Sequence, residues 1–294
     1  MSNPPWHILG FGVIGQLLHA GFSRSGQQCL VVSKPNQPLP AHHTVQYQNH
    51  TETFDIEVFV PGDRLIERLV VCTKSYDVTQ AITAVKQALS PTAQIVIMVN
   101  GLVDSHEIAE LTTGSVYWAL TTEGGYRNEA HHTVHGGSGV TRLGSGSEPD
   151  WLREWQEAVP NSHWHTDIDP YRWEKLSVNA VINPLTALHQ CRNGELENSE
   201  LKACTQTSID EARAVLEALG FTLQAQGFHN TCWEVIRKTG ANRSSMLQDI
   251  TLKRRTEIST ILPPLLAVAA KHHVATPQLK NTLTAFQQRF PELC

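Results

Sequence analysis

Lys175, Asn179 and Asn183 recur at intervals of four along a run from Glu174 to Thr186. The residues between them include Leu176, Val178, Ala180, Val181 and Ile182. In a helix this spacing stacks one ammonium and two carboxamides on nearly one face. A polar row on a largely buried helix must find partners, because an unpaired buried polar group costs roughly 2 kcal/mol or more. An interhelical hydrogen-bond network is one solution. The other is a site in which Lys175 meets an oxyanion or carbonyl oxygen while the amides hold hydroxyl and carboxylate groups.

A second constellation lies near the start of the chain. Gly10-Phe11-Gly12-Val13-Ile14-Gly15 is a G-x-G-x-x-G that follows the apolar run His7-Ile8-Leu9 and opens a helical stretch, Ile14 to Ser25. Gly10 permits the tight turn, Gly12 lets a pyrophosphate approach the backbone, and Gly15 allows close helix–strand packing. In strand–turn–helix context the motif predicts dinucleotide binding through Gly10, Phe11, Gly12, Val13, Ile14 and Gly15. The second strand ends in Val32-Ser33-Lys34, with no carboxylate to hold a ribose 2′-hydroxyl. That absence and the Lys34 cation favour a 2′-phosphate, hence NADPH over NADH. A solvated loop lysine is the plainer account of Lys34.

The elements that must position these residues change character along the 294-residue chain. Apolar runs at Gln28–Val32, Leu69–Cys72, Gln94–Val99 and Val116–Leu120 alternate with helical patterns, as in a parallel α/β sheet. One amphipathic stretch, Ala81 to Leu89, is stopped by Ser90-Pro91. Residues 34–66 break the rhythm with prolines and short strands at Thr44–Tyr47 and Phe54–Val60. Residues 124–149 read as an antiparallel excursion. After Pro170 long 3.6-period segments follow, at Tyr171–His189, Glu200–Ala218, Cys232–Lys238 and Ser244–Leu265. The boundary is placed at 168/169: residues 1–168 form a nucleotide-binding domain and 169–294 a helical substrate domain.

Composition narrows the function classes. With 23 Lys+Arg against 28 Asp+Glu the net charge is −5, which disfavours binding to nucleic acid. No apolar run approaches the roughly 20 residues of a membrane span. No basic segment precedes an apolar one at the N-terminus, and the six cysteines contain no CxxC pair, so a reduced cytoplasmic protein is expected. The 15 histidines tempt a metal reading, but neither His131-His132-x-x-His135 nor His163-x-His165 has convergent spacing. They are read as solvated turn residues and no metal is expected. His272-His273 reads as a helix C-terminal cap, Asp167 and Asp169 as helix N-cap residues, and Lys253-Arg254-Arg255 as a solvated helix face.

Several ordered motifs extend the two constellations: Thr73-Lys74, Asn100-Gly101-Leu102, Thr121-Thr122, the run Lys175 to Ala187, Ser244 to Ile250, and Arg255-Thr256-Glu257-Ile258. Together with the glycine motif they resemble the ketopantoate reductase (2-dehydropantoate 2-reductase) family over nearly the whole chain. The resemblance implies an α/β Rossmann-type N-terminal domain plus an all-α C-terminal domain (6-phosphogluconate dehydrogenase C-terminal-like). NADPH and a 2-oxo acid would occupy the cleft between them, in a monomer or homodimer serving pantothenate biosynthesis. It makes Lys175 the general acid and Asn100, Asn179, Asn183, Asn193 and Ser245 substrate contacts. Lys74, Asn100, Gly125 and Glu257 would serve the cofactor beside the glycine loop and Lys34. The chain departs from the family pattern after Glu257, where an acid and Asn-Gly give way to Ser259-Thr260-Ile261-Leu262-Pro263-Pro264. It departs again at Thr121-Thr122-Glu123, where many members carry Thr-Thr-His. Alternatives are a reductase of another 2-oxo acid and a non-catalytic NADPH-binding sensor. Converting Lys34→Asp should raise the KM for NADPH far more than that for NADH in steady-state assays; equal effects would remove Lys34 from the 2′-phosphate.

Overall fold

β1 (Trp6–Leu9) is buried at all four positions, as a strand covered on both faces must be. The computed structural model describes residues 3–33, 38–129 and 131–294, so Lys34 lies outside the described residues. By contacts the chain forms two units. One comprises the described residues up to Val99 with Asp104–Ile168, the other Asn100–Val103 with Asp169–Cys294.

In the first unit β1 is followed by α1 (Val13–Arg24), β2 (Cys29–Val32), β3 (His42–Gln46), β4 (Thr51–Asp55), β5 (Glu57–Val58) and β6 (Ile66–Val71). Then come α2 (Val78–Val85), β7 (Leu89–Met98), α3 (Ser105–Leu111), β8 (Ser115–Thr121), β9 (Gly124–Glu129) and β10 (His132–Gly137). β11 (Thr141–Gly144), α4 (Leu152–Ala158) and β12 (Ser162–His165) complete it. The main sheet runs β12-β11-β8-β7-β6-β1-β2-β5. From β5 to β8 all pairings are parallel, while β11 joins β8 antiparallel. Counted from β1, that parallel part has the 3-2-1-4-5-6 order of a Rossmann sheet, and the glycine motif leaves β1 where the order reverses. Its core packs Trp6 on Phe22 and Trp151, each with ring centroids 5.1 Å apart.

The helix expected over Ala81–Leu89 ends earlier. α2 stops at Val85, a short 3-10 turn follows, and Ser90-Pro91 lies inside β7. Proline is tolerated there because the β6–β7 register slips between Ile66 and Arg68, removing a ladder position that needs an N–H. The two irregular stretches form one structure: β3 and β4 join β10 and β9 in a second sheet, order β4-β3-β10-β9. Its central β3–β10 pairing is parallel, so the excursion after Glu123 is not purely antiparallel.

The second unit holds α5 (Asp169–His189), α6 (Ser199–Ala218), α7 (Thr222–Lys238), α8 (Ser245–Thr251), α9 (Ile258–Lys271) and α10 (Pro277–Arg289). α5 is its centre and contributes Leu176, Val181, Ile182 and Leu185 to one apolar core with Phe228, Ile261 and Phe286. The buried Glu211 carboxylate accepts the Gln278 and Leu279 N–H groups, both at 2.8 Å, and so caps α10. The run Ser244–Leu265 is two helices, not one, because Lys253 takes a left-handed φ of 52° after α8. Lys253, Arg254 and Arg255 therefore sit in an exposed connection and not on a helix face. Asp169 stands in the first turn of α5 and binds Arg172 at 2.7 Å. The end of α9 is capped by main-chain N–H groups of His272 and His273. Among the described residues no helix is long and apolar enough to cross a membrane, and all six cysteines are free thiols.

His19 and His43 are buried against each other, Nε2 of His43 lying 2.9 Å from Nδ1 of His19. Burial pushes His19 down to about 4 and His43 lower still. Both are therefore neutral in the folded protein under conditions where an unfolded histidine, titrating near 6.5, takes a proton. Unfolding binds protons below that point, so stability falls with pH from about 6.5 towards 4, by up to about 2.7 kcal/mol per pH unit for two groups. Urea unfolding followed by tryptophan fluorescence should show a lower midpoint at pH 5 than at pH 7. Replacing both histidines with glutamine should flatten the dependence.

Candidate active site

Along α5 the polar row passes from half-buried Lys175 and Asn179 to buried Asn183. The Lys175 ammonium donates to Asn100 Oδ1 at 3.1 Å. Loss of water around it pushes its pKa down to about 8, while the Glu257 carboxylate pulls the other way. Glu257, at the N-terminus of α9, is itself buried. Among the described residues no side-chain hydrogen bond engages the amides of Asn179 or Asn183, so no interhelical network accounts for the row. Ser245, at the first position of α8, is exposed. Its neighbour Ser244 ties α8 to α5, receiving the Thr186 hydroxyl at 2.7 Å and the Leu247 N–H at 3.1 Å.

Asn100 reaches Lys175 because its segment is anchored to α9. Pro263 and Pro264 lie inside that helix. Lacking an N–H, Pro264 leaves the Thr260 carbonyl without its helical donor. That carbonyl accepts the Leu102 N–H at 2.9 Å, and the Leu102 side chain packs on the helical core. The prolines that depart from the family pattern thus fix the residue that meets Lys175.

The glycine loop in the first unit has the shape of a phosphate cradle. Gly10 has φ +104°, and a Cβ there would lie 2.7 Å from the Cys72 carbonyl carbon. At Gly15 a Cβ would strike the Gly10 carbonyl, whereas at Gly12 nothing lies within 4 Å. Turn, open approach and close packing fall on Gly10, Gly12 and Gly15 in that order. α1 then begins at Val13 with no acidic residue in its first turn, which leaves the positive helix end uncompensated. Lys74 follows the Cys72-Thr73 backbone on which Gly10 rests. Gly125 lies against α1, where a Cβ would be 2.9 Å from Val13 Cγ1.

The structure thus gathers Lys175, Asn100 and Glu257, sets Asn179 and Asn183 on the same helix face, and packs Ser245's helix beside them. Asn193 stands apart, its amide donating to Thr239 Oγ1 at 2.8 Å. The histidine motifs are less solvated than expected. His135 pairs with Glu123 at 2.8 Å, and Nδ1 of His131 and Nε2 of His132 are buried. Among the described residues no three His, Cys, Asp or Glu converge as metal ligands. The sequence does not reveal the contact from Arg127 to the Phe11 carbonyl at 2.6 Å, because β9 has no periodic apolar signal and the two residues lie 116 positions apart in the chain.

Two family models match: "Ketopantoate reductase PanE/ApbA" over residues 6–148 and "Ketopantoate reductase PanE/ApbA C terminal" over residues 167–289. The 2-dehydropantoate 2-reductase of Vibrio cholerae is 30% identical over 281 residues, covering 92% of each chain. A ternary structure of D-mandelate dehydrogenase with NADH and anilino(oxo)acetate superposes with TM-score 0.88 at 18% identity, over 98% of this chain and 99% of that one. The 2-dehydropantoate 2-reductase of Geobacter metallireducens superposes with TM-score 0.86 at 23% identity, over 97% and 99%. At these identities the structural likenesses show the fold.

Restoring an N–H at position 264 should undo the anchor. In Pro264→Ala the new donor competes for the Thr260 carbonyl, so amide exchange at Leu102 should quicken about tenfold, while α9 itself becomes no less stable. Unchanged protection at Leu102 would show that the proline does not control the segment.

Proposed function

This chain belongs to the ketopantoate reductase family, and we propose that it reduces 2-dehydropantoate to pantoate with NADPH, Lys175 protonating the ketone oxygen as hydride reaches the carbon. The chain is an oxidoreductase. The observation that carries the finer reading is a partly desolvated ammonium, held by Asn100 and followed on the same helix face by two amides with no side-chain hydrogen bond among the described residues.

A bound nicotinamide supplies the hydride. The glycine loop fits its dinucleotide, because the one motif glycine with open space beside it, Gly12, is the one that pyrophosphate must approach. Gly10, Phe11, Gly12, Val13, Ile14 and Gly15 would hold it, with Lys34, Lys74, Gly125, Asn100 and Glu257 as further contacts. The absence of a carboxylate in Val32-Ser33-Lys34 and the Lys34 cation favour the 2′-phosphate of NADPH. Lys175 has a proton to give near neutral pH and an ammonium charge to stabilise the alkoxide. Asn100 accepts one ammonium hydrogen and so orients the others. Asn179 and Asn183 offer N–H donors and carbonyl acceptors to the carboxylate and hydroxyls of the substrate. Ser245 offers one hydroxyl more. Asn193, spent on Thr239, is the weakest member of the substrate set. A second reading, reduction of a different bulky 2-oxo acid, is favoured by the Ser259–Pro264 segment that departs from the family pattern.

Lys175→Ala should lower kcat by about a thousandfold. Since the acid must be protonated, wild-type reduction should decline as pH rises through about 8. Turnover within a few-fold of wild type in the alanine variant would remove Lys175 from the chemistry. NADPH oxidation with a panel of 2-oxo acids, repeated with NADH, tests substrate and cofactor together; tight NADPH binding without turnover would point to a sensor.

A further inference from the structure

We propose that Arg127 is a positioning residue for the dinucleotide, fixing the Phe11 carbonyl and through it the conformation of the glycine loop, and adding a positive charge beside the loop. The inference rests on the dinucleotide reading of that loop given above.

Phe11, the first variable residue of the motif, is held from two directions. Its carbonyl accepts Arg127 Nη2 at 2.6 Å and Gln16 Nε2 more loosely at 3.4 Å. The Gln16 carboxamide oxygen in turn accepts the Thr133 hydroxyl at 2.7 Å. The Phe11 ring meets His43 and His19 edge-on, with centroids 5.1 and 5.7 Å away. His43 comes from β3, Arg127 from β9 and Thr133 from β10, so three strands of the second sheet converge on one loop residue. The sheet works as a brace for the cradle.

A loop of this composition needs one. Glycines lose the most backbone freedom on ordering, and a phosphate gains from main-chain N–H dipoles only if they hold one direction. A carbonyl beside a phosphate site is also an electrostatic fault, because its oxygen carries the same sign as the ligand. The guanidinium corrects this by drawing the Phe11 oxygen into a charge-assisted hydrogen bond. A lysine has the charge but not the planar fork that reaches the carbonyl in a fixed orientation. Arg127 is exposed, so its field at the loop is screened by salt.

Arg127→Met and Arg127→Lys would be compared with wild type by calorimetric or fluorescence titration with NADPH and NADH at low and moderate salt. The methionine variant should bind both dinucleotides at least about tenfold more weakly, with a shallower salt dependence. The lysine variant should keep the salt dependence and recover only part of the affinity. Melting temperature should hold within about 2 °C for this exposed site, and the KM for the keto acid at saturating cofactor should not move. Wild-type affinity in Arg127→Met overturns the inference. A loss confined to NADPH also overturns it, since that would assign Arg127 to the 2′-phosphate. A fall in melting temperature matching the affinity loss would make the role merely structural and overturn it too. If the wild-type protein binds neither dinucleotide, the dinucleotide reading fails and takes this inference with it. If wild type binds and Arg127→Met is unaffected, the inference alone fails.

Discussion

The Thr260 carbonyl lacks the i+4 N–H of its own helix, because position 264 is a proline, and an outside donor, the Leu102 N–H, meets it instead. A proline in a helix interior costs about 3 kcal/mol, and α9 carries two in succession. The helix persists because Ile261, Leu262 and Leu265 are fully buried around them. Burial at roughly 2 kcal/mol per large aliphatic side chain offsets most of that cost. The remainder is reduced by the Leu102 N–H, which satisfies the Thr260 oxygen. A stretch of only four residues, Asn100–Val103, is thereby attached to the helical core although its neighbours on both sides belong to the sheet unit. Asn100 then stands within reach of Lys175.

The first unit meets a comparable problem at its glycine loop, where the main sheet alone supplies one wall. Gly10 rests on the backbone after β6, but Phe11 and the first turn of α1 need cover on the other side. The second sheet provides it, and the buried His19–His43 pair is part of that contact. A hydrophobic pair would fill the same space without titrating. The histidines instead leave this packing dependent on their neutral form, so acid acts on the scaffold of the loop before it acts on exposed carboxylates.

Much of this was legible in the residue pattern, and the limits have physical causes. Buried parallel strands are continuous apolar runs and the polar row on α5 is a period-3.6 pattern; both are local signals, and both appear where the sequence indicates. The second sheet is not local: His42–Asp55 and Gly124–Gly137 pair across about 90 residues, so each segment alone reads as irregular. Pro91 misleads because sequence rules treat proline as a stop, yet a register slip removes the need for its missing N–H. Pro263 and Pro264 fall inside the run read as helical and do lie inside α9, where an outside donor serves the Thr260 carbonyl. The break between α8 and α9 is invisible because Lys253 is an ordinary helix former that takes a left-handed conformation here. His19 and His43 escape notice because their partnership depends on the second sheet. Asn193 is a motif residue whose amide N–H donates within the fold, while its carbonyl oxygen is buried with no partner among the described residues.

Two opposed influences set the Lys175 ammonium, burial and the Glu257 carboxylate. Complete burial without a counter-charge would leave the amine neutral, with no proton to give. Burial opposed by Glu257 gives a value of about 8, which leaves the group protonated by about ten to one at pH 7 and a strong enough acid for an alkoxide to deprotonate. Asn100, a neutral acceptor, directs the ammonium without adding charge that would raise that value. An aspartate at position 100 would satisfy the same geometry and spoil the balance. For the proposed proton donation the amide there is therefore an electrostatic choice as much as a hydrogen-bonding one, and the prolines of α9 hold that neutral group in place.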